Sequence, residues 1–323
     1  MKIIIPIEIT EGMFTTNVPN IHEPWSSLGN YETNDPVLET PADLVRYDPM
    51  NLVYEAAQAS GPLSDIGPIE PNTDTNGDRI VDSLVWVEYS ASNPWQPFYG
   101  SVGNAAKSVT NIQYVITPGQ PITGLALFKI VGADATVTLE SAPGVPIGDP
   151  ISYSMTLSPG VIDWFTYFFN EIDVIDSVVD FDLPLAGIQN PIITIDIDAA
   201  EGDPVELGEI VLGEAVDIGF TQKDFSLGIV DYSTKNTDDY GNITILPRSF
   251  SQKANVRVLV LKENINYISR TLTIIRSQPI VWGLLDDVEF IDTVLIYGYL
   301  KDYNMAVPNP RWASLTLQIE GLT

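Results

Sequence analysis

The heptapeptide Ile192-Ile-Thr-Ile-Asp-Ile-Asp198 carries the pattern that decides the fold of this chain. Its apolar and polar side chains alternate with a period of two, as in a β-strand with one face in a core and one in water. Further short runs rich in β-branched and aromatic residues are separated by Gly, Pro, Asn and Asp, and occupy positions 112–116, 135–140, 256–261 and 315–319. Such runs are typical of strands joined by turns and predict an all-β protein.

Helical periodicity is confined to two short segments. We predict helices over residues 42–46 and 262–272. In the second segment Ile265, Ile268 and Leu272 recur at helical spacing and share one face. The sequence therefore predicts few and short helices.

The connecting segments are rich in turn-forming residues. Tyr240-Gly-Asn242 predicts a hairpin turn, because Gly and Asn tolerate the backbone angles that tight turns require. The acidic, Gly- and Ala-rich residues 199–214 predict turns and short strands. No internal repeat is visible, which disfavours a solenoid.

The length of 323 residues allows two or three domains. Composition separates an N-terminal arm with strand character (residues 1–20) from a small module rich in Pro, Asp and Asn (residues 21–92). We predict a β-sandwich over residues 93–220 and a C-terminal β domain with one short helix over residues 221–323. The expected architecture is thus a small β-rich module followed by one or two jelly-roll-like sandwiches.

Charge is strongly unbalanced. The 43 acidic and 15 basic residues give a formal net charge of -28. Such a surface repels nucleic acid and anionic lipid, because phosphate binding needs clustered Lys and Arg. The first interpretation of the charge is solubility or adaptation to a salty medium, and the alternative is binding of divalent cations or basic partners.

The absence of cysteine excludes a disulfide framework, a thiolate metal site and a cysteine nucleophile. The apolar start of the chain is interrupted by Pro6 and Glu8, so we expect no signal peptide. No run reaches the length of about 20 apolar residues that a membrane-spanning helix needs. We therefore expect no membrane insertion and no signal-dependent export.

Five segments resemble a family of tail-associated structural proteins of tailed bacteriophages. They occupy residues 93–100, 231–244, 248–253, 294–303 and 315–322, and include Asn93-Pro-Trp-Gln-Pro-Phe-Tyr-Gly100. The resemblance implies a structural protein of the virion, near the tail, baseplate or host-attachment apparatus, assembled in the host cytoplasm. It also implies contacts with other virion tail proteins, several copies in a symmetric homo-oligomer, and no catalysed reaction.

The small module resembles the chitin-binding, and thus carbohydrate-binding, modules attached to bacterial chitinases. The resemblance rests on Trp25, Tyr31, the Tyr54-Glu-Ala-Ala57 segment and Trp86. In that family these positions are mostly core, and sugar is bound by an exposed aromatic pair after the Tyr-Glu-Ala strand. Residues 58–62 here contain no aromatic. The first interpretation is that Trp25, Tyr54 and Trp86 form the core of a mini-domain. The alternative is that they contact a glycan, such as a host surface polysaccharide.

An acidic loop resembles the calcium loops of dockerins and EF-hands. Oxygen ligands would come from Asp74, Asn76, Asp78, the carbonyl of Ile80, and Asp82. Arg79 stands where these loops have glycine, and Val85 where they have a bidentate acid. The sequence leaves open a weak Ca²⁺ site or a simple Asp-Asn-Gly turn, and it implies no other cofactor.

Catalytic patterns are weak. His22 is the only histidine, and no Gly-x-Ser-x-Gly motif is present, so a serine-histidine triad is not supported. Asp196 and Asp198 point to the same side of a predicted strand. A solvated face explains them, and a pair of glycosidase carboxylates is the alternative. We predict a protein that is not an enzyme, with a glycan- or receptor-binding protein for host attachment as the alternative function.

Two features concern assembly. The run Trp164-Phe-Thr-Tyr-Phe-Phe169 is apolar on both faces, which predicts a strand buried between two layers or, alternatively, a subunit interface. Residues 1–20 or the terminal strand near residues 315–322 are predicted to add to a sheet of a neighbouring subunit, because exposed strand edges pair readily.

Overall fold

A computed structural model shows that the predicted all-β class is correct. The residues that it describes are 1–26, 42, 44–56, 86–100, 103–155, 176–185, 187–199, 203–222, 224–237, 243–284, 295–308 and 310–322. The Asp74–Asp82 loop, the aromatic run 164–169 and the turn at 240–242 lie outside these residues. Within them, no helix is both long and apolar enough to cross a membrane.

The described strands range from two residues in β10 and β15 to 13 in β14. In chain order the first eleven are β1 (Lys2–Pro6), β2 (Phe14–Thr16), β3 (Leu44–Tyr47), β4 (Leu52–Ala56), β5 (Trp86–Ala91), β6 (Ala106–Ser108), β7 (Asn111–Ile116), β8 (Gly124–Val131), β9 (Asp134–Ala142), β10 (Val145–Pro146) and β11 (Ile151–Ser154). The next eleven are β12 (Ser177–Asp180), β13 (Ile192–Asp198), β14 (Val205–Asp217), β15 (Phe220–Thr221), β16 (Ser226–Asp231), β17 (Thr234–Thr237), β18 (Ile243–Leu246), β19 (Phe250–Leu261), β20 (Ile280–Gly283), β21 (Leu295–Ala306) and β22 (Trp312–Gly321).

Helices are few among the described residues. The helix α1 spans Ile265–Ile274, and the 3₁₀ segments are η1 (Asp48–Met50), η2 (Asn93–Phe98), η3 (Lys262–Asn264) and η4 (Ile275–Ser277). The helix predicted over residues 262–272 is therefore confirmed.

The strands form four antiparallel sheets. The large sheet has the order β12-β8-β14-β1-β20-β21-β22-β19-β15, with β6 also on β14 and β16 also on β19. The small sheet has the order β10-β9-β13-β7-β2, with β11 also on β9. The module sheet consists of β3-β4-β5, and β17 and β18 form a separate hairpin. The strands flanking the predicted turn at residues 240–242 thus pair with each other.

The small sheet packs face to face on one end of the large sheet. Ile193, Ile195 and Ile197 of β13 are fully buried, while the side chains between them point to the outer face. They meet Leu125 and Leu207, which extend from β8 and β14 of the large sheet. The alternation seen in the sequence therefore builds a two-layer β-sandwich.

The other end of the large sheet is covered by α1. Ile268 and Leu272 of the helix are buried together with alternate residues of β19, such as Val258. Trp282 on β20 is fully buried in the same cluster, and its indole N–H donates to the carbonyl of Gly298 at 3.1 Å. A third cluster, which includes Phe128 and Tyr297, lies on the opposite face of the large sheet, because its residues alternate along the strands with those of the first two clusters.

The strand β1 connects the two ends of the large sheet. It pairs with β14 on one side and β20 on the other. Gly213 is opposite Pro6, and a Cβ at this glycine would lie 1.8 Å from the carbonyl oxygen of Ile5. Residues 1–20 have the expected strand character, with β1 in the large sheet and β2 in the small sheet.

Two local predictions are wrong. Residues 44–47 form the strand β3 and not a helix, because a helical run this short is marginal by itself and β4 offers a hydrogen-bonding partner. Residues 205–217 form one strand of 13 residues and not turns and short strands. Its glycines, Gly208 and Gly213, are sites of close backbone approach within the sheet.

Strand addition to a neighbouring subunit is expected from residues 1–20 or from the terminal strand; β2 is paired only with β7 among the described residues, but β1 and β22 are not available for it. β1 has paired strands on both sides, and β22 lies between β21 and β19. Neither strand has an open edge along its paired length, because the chain itself supplies both neighbours. The chain ends are therefore structural parts of the large sheet.

Candidate functional site

The module sheet brings two of the three predicted module aromatics together. Tyr54 is 7% exposed and packs in a cluster with Val45 and Ala56, against which Trp25 lies half-buried. The ring of Trp25 is 6.4 Å from that of Tyr47. Trp86 starts β5 opposite Ala56, but its side chain lies outside the described part of the structure. Tyr54 is thus buried in the core of the module, and Trp25 packs against that core.

The only histidine lies at the edge of this module. The backbone carbonyl of His22 accepts a hydrogen bond from the Arg46 guanidinium at 3.1 Å, and the same guanidinium pairs with Asp48. Burial, with a smaller contribution from the positive charge of Arg46, lowers the pKa of His22. The described contacts of His22 are thus with the neighbouring Arg46 of the module.

The predicted metal loop lies outside the described residues, whereas the predicted carboxylate pair lies within them. The proposed calcium ligands Asp74, Asn76, Asp78, Ile80 and Asp82 lie outside the described residues, and no group of three or more potential ligands occurs within the described ones. Asp196 is half-buried and accepts a hydrogen bond from the Gln113 side chain at 2.8 Å, whereas Asp198 is exposed. Both lie on the outer face of the small sheet.

The segment η2 connects the module to the sandwich. The buried amide of Asn93 donates to the carbonyls of Pro19 (2.6 Å) and Lys107 (2.9 Å) and accepts from the Lys107 N–H at 2.8 Å. Phe98 packs on Phe14 and Tyr114 with ring centroids 4.9 and 5.7 Å apart. The segment is therefore held by both polar and aromatic contacts.

A cleft of about 390 Å³ next to η2 contains the most perturbed carboxyl group of the described residues. Glu209 on β14 is only 4% exposed, and burial raises its pKa to about 8. It accepts hydrogen bonds from the Tyr297 hydroxyl at 3.3 Å and from the Gly100 N–H at 3.2 Å. Because Tyr297 belongs to β21, this carboxyl joins two parts of the large sheet.

The chemistry available to this cleft is limited. A carboxyl group kept largely neutral at pH 7 can donate a proton or a hydrogen bond. Both oxygens of Glu209 are already bonded, and Tyr297 stacks on Phe128 with ring centroids 5.3 Å apart. The arrangement therefore stabilises the packing of β14 against β21. Sequence reasoning missed Glu209, although an acid between Gly208 and an Ile-Val-Leu run was a visible signal.

The exposed apolar residues are concentrated at the β19 end of the large sheet. Here β16 pairs with the first residues of β19, and β17 and β18 continue this pair outward. The two hairpins are joined by hydrogen bonds from the Tyr232 N–H to the Ser249 carbonyl (3.3 Å) and from the Arg248 N–H to the Ser233 hydroxyl (3.1 Å). We call this two-stranded element, residues 226–237 and 243–255, the ribbon.

The ribbon carries apolar side chains that no core covers. Ile229, Ile245, Leu246 and Phe250 are each more than half exposed. Ile245 and Leu246 are consecutive residues of a strand, so they point to opposite faces. Both faces of the outer ribbon therefore meet solvent.

Charge is distributed unevenly along the chain. Residues 1–220 contain 32 acidic and five basic side chains, whereas residues 221–323 contain 11 and ten, which together make up the 43 and 15 of the whole chain. The excess of negative charge is thus carried by the module and sandwich. Residues 243–278 contain six basic residues and a single acid, Glu263.

Comparisons with known proteins do not indicate a function for these sites. No protein-family model matches the chain, and a search of curated proteins found no relative. The ribbon, the Glu209 cleft and the module therefore have to be interpreted from their own residues.

Proposed function

We propose that this protein is a non-enzymatic structural subunit of a tailed-phage virion, in the tail, baseplate or host-attachment apparatus, and that it acts through subunit interfaces. The observation that carries the proposal is the concentration of exposed apolar residues on the ribbon. The five sequence segments that resemble tail-associated proteins support it, and two of them, residues 231–244 and 248–253, fall partly or wholly on the ribbon.

An apolar surface that no other part of the chain covers is unfavourable in water. Contiguous exposed apolar patches on a soluble chain are commonly sites of contact with a partner. Ile229, Ile245, Leu246 and Phe250 lie on one two-stranded element and are not scattered over the surface. Covering them would remove apolar area from water, which stabilises an assembly by about 25 cal/mol per Å² before the costs of association.

The alternative function is a glycan- or receptor-binding protein that mediates host attachment from the virion. One observation favours it. Tyr89 on β5 is 56% exposed and borders a cleft of about 190 Å³ together with Asn104 and Lys107. An exposed aromatic beside polar groups suits stacking on a sugar ring. In this version of the proposal the module sheet contacts host surface polysaccharide directly.

Mass spectrometry of purified virions tests the main proposal. We expect this chain in the particles at a constant ratio to an established tail component, after washing at high salt. A chain that stays in the lysate and is absent from washed particles would overturn the proposal. A host cytosolic protein of similar abundance controls for carry-over.

A sedimentation assay with host cell-wall polysaccharide separates the two functions. A structural subunit is expected to remain in the supernatant. Retention that Tyr89→Ala abolishes and Tyr267→Ala leaves intact would favour the receptor-binding alternative. Tyr267 is a matched control because it is similarly exposed but lies on α1.

A further inference from the structure

We propose that the chain assembles head to tail, the open edge of β16 in one copy pairing with the open edge of β12 in the next, so that the large sheet continues across subunits. This inference rests on the proposed role as an assembling subunit and specifies its partner as a second copy of the chain. Within the large sheet it takes the place of the addition expected from residues 1–20 or the terminal strand, because β1 and β22 are paired on both sides.

The first observation is topological. Within the described residues, β12 pairs only with β8, and β16 pairs only with β19. In strand order these two strands lie at opposite ends of the same sheet, which curls so that Ser177 of β12 and Gln252 of β19 border one cleft of about 390 Å³. An open edge exposes a row of N–H and C=O groups that can bond to another strand. Among the described residues, each copy therefore offers two different unpaired edges, and pairing one of them with the other in the next copy gives a repeating head-to-tail contact.

The second observation is that β16 lacks the usual protection of an edge strand. Its sequence, Ser226-Leu-Gly-Ile-Val-Asp231, contains neither lysine nor proline, and its pairing with β19 has no bulge. Leu227 and Ile229 are exposed. Natural proteins block open edges with charges, prolines or bulges because such edges pair readily. Apart from Asp231 at its end, β16 carries no such block, which is consistent with a strand that has a partner in the assembly.

The third observation is a lysine that crosses this strand. Gly228 is opposite Lys253, and a Cβ at Gly228 would lie 3.0 Å from the Lys253 Cε. The lysine side chain therefore extends over the glycine, from β19 across β16. Lys253 forms no ion pair with any residue that the structure describes. Its ammonium group is available to an acid on a strand added beyond β16.

The opposite end of the sheet supplies such acids. Asp176 precedes β12 and is exposed, and Asp180 is half-buried at the end of the strand. Asp182 follows and is paired with Lys2 of the same chain at 2.5 Å. Neither Asp176 nor Asp180 forms an ion pair among the described residues. The β12 edge is thus acidic where the β16 edge carries Lys253.

Charge also distinguishes this contact from a symmetric one. Pairing β16 with β16 would bring two Lys253 side chains together, and pairing β12 with β12 would bring the aspartates together. Like charges at a contact disfavour association, whereas opposite charges guide it. The head-to-tail pairing matches the excess of acids in residues 1–220 with the basic residues of 243–278.

The test uses the purified full-length chain in sedimentation velocity over a wide range of concentration. We expect the unmodified chain to form oligomers larger than dimers as concentration rises. Ile229→Lys blocks the β16 edge and Asp180→Lys changes the charge of the β12 edge. Each substitution is expected to weaken association by about tenfold or more.

Mixing the two variants gives the sharpest result. Ile229→Lys retains an intact β12 edge and Asp180→Lys retains an intact β16 edge. A head-to-tail contact therefore predicts that the mixture forms 1:1 dimers that do not grow, although each variant alone is monomeric. Dimers formed by each variant alone, or no dimers in the mixture, would contradict the proposal.

Matched controls exclude general effects of an added charge. Ile274→Lys introduces lysine at a residue that is 65% exposed on α1, compared with 58% for Ile229. Asp149→Lys reverses an exposed acid in a loop. Both controls are expected to associate like the unmodified chain, and circular dichroism verifies that all variants are folded.

The test of the head-to-tail contact and the test of the virion role can fail independently of each other. A chain that is monomeric at every concentration, yet present in washed virions, overturns the head-to-tail contact and leaves the structural role standing. A chain that associates as described but is absent from virions supports the contact and overturns the role. Association weakened equally by Ile274→Lys and Ile229→Lys would also overturn the edge contact.

Discussion

The strands β13 and β16 have similar sequences and opposite environments. Both alternate β-branched or aliphatic residues with others, but β13 lies between β9 and β7 while β16 has a single paired neighbour. Ile195 of β13 is fully buried, and Ile229 of β16 is mostly exposed. The local sequence pattern therefore determines that a segment forms a strand. The neighbouring strands and the opposing layer determine how deeply its side chains are buried. The same difference separates the covered large sheet from the ribbon.

The largest expected effect contrasts Trp282 in the covered sheet with Phe250 on the ribbon. We expect Trp282→Ala to lower the free energy of unfolding by about 3–5 kcal/mol, because it leaves a cavity and removes a bond to Gly298. We expect Phe250→Ala to change it by no more than about 0.5 kcal/mol, since more than half of the ring is exposed. Urea denaturation of the purified chain measures both. Similar losses of unfolding free energy in the two variants would contradict the expected difference between the covered sheet and the ribbon.

The second effect depends on pH and concerns Glu209. Burial raises its pKa from 4.5 to about 8, so the folded state holds a proton that the unfolded state releases between these values. Its contribution to stability is complete below pH 4.5, is lost as the pH rises towards 8, and changes little above that. We expect Glu209→Gln to be relatively more stable than the unmodified chain as the pH rises through this range.

Thermal or urea unfolding at several pH values measures the stability difference between Glu209→Gln and the unmodified chain. Asp231→Asn on the ribbon is the matched comparison, because hydrogen bonds from Ser233 lower the pKa of Asp231. The stability difference between Asp231→Asn and the unmodified chain is expected to vary at acidic pH, where the variant becomes relatively more stable as the pH falls. A stability difference for Glu209→Gln that does not vary between pH 5 and 8 would show that this carboxyl is not buried as described.

The third effect concerns buried and exposed asparagines. Asn93 is buried and makes three hydrogen bonds to backbone groups of Pro19 and Lys107. Removing one partner of a buried polar group costs about 1–3 kcal/mol, so Asn93→Ala is expected to fall in or above this range. Asn255→Ala, at an exposed position opposite Ser226, is expected to be nearly neutral. Chemical denaturation compares the two, and equal losses would contradict the assignment of η2 as a fixed connector.

The smallest effect lies in an ion pair next to the ribbon. Arg257 and Asp224 are 2.7 Å apart, and both side chains are about half exposed. Surface ion pairs contribute about 0–1 kcal/mol, because water and salt screen them. We expect Arg257→Ala to lower stability by less than about 1 kcal/mol, with a smaller loss at high salt. A larger loss in urea denaturation would indicate that the ribbon is packed more tightly than its exposure implies.

Much of the secondary structure was predictable from local pattern. The five alternating or β-branched runs all became strands, and the helical spacing of Ile265, Ile268 and Leu272 became α1. Local pattern failed where a distant partner decided the outcome. Residues 44–47 became a strand because β4 pairs with them, and residues 205–217 became one long strand because β8 and β1 lie on its two sides.

The candidate sites were less predictable for the same reason. The resemblance to small carbohydrate-binding modules pointed to Trp25 and Tyr54, of which the structure buries Tyr54 and leaves Trp25 half-buried. The apolar run after Glu209 marks it as a candidate buried acid, but its partners Tyr297 and Gly100 are far away in the sequence and only the structure identifies them. The two open edges could not be identified at all, because an edge is defined by a strand that is missing from one side.

By itself, the sequence determined the all-β class, the positions of the main strands, the short helix and the excess of acids, because these follow from side-chain periodicity and composition. Only the tertiary structure placed β1 between the two ends of the large sheet, buried Glu209, and left the ribbon and β12 at the margins. These features depend on hydrogen bonds between residues far apart in the chain, such as Ile3 with Val216 and Trp282 in the paired register of β1. The local sequence pattern does not indicate which distant residues pair with each other.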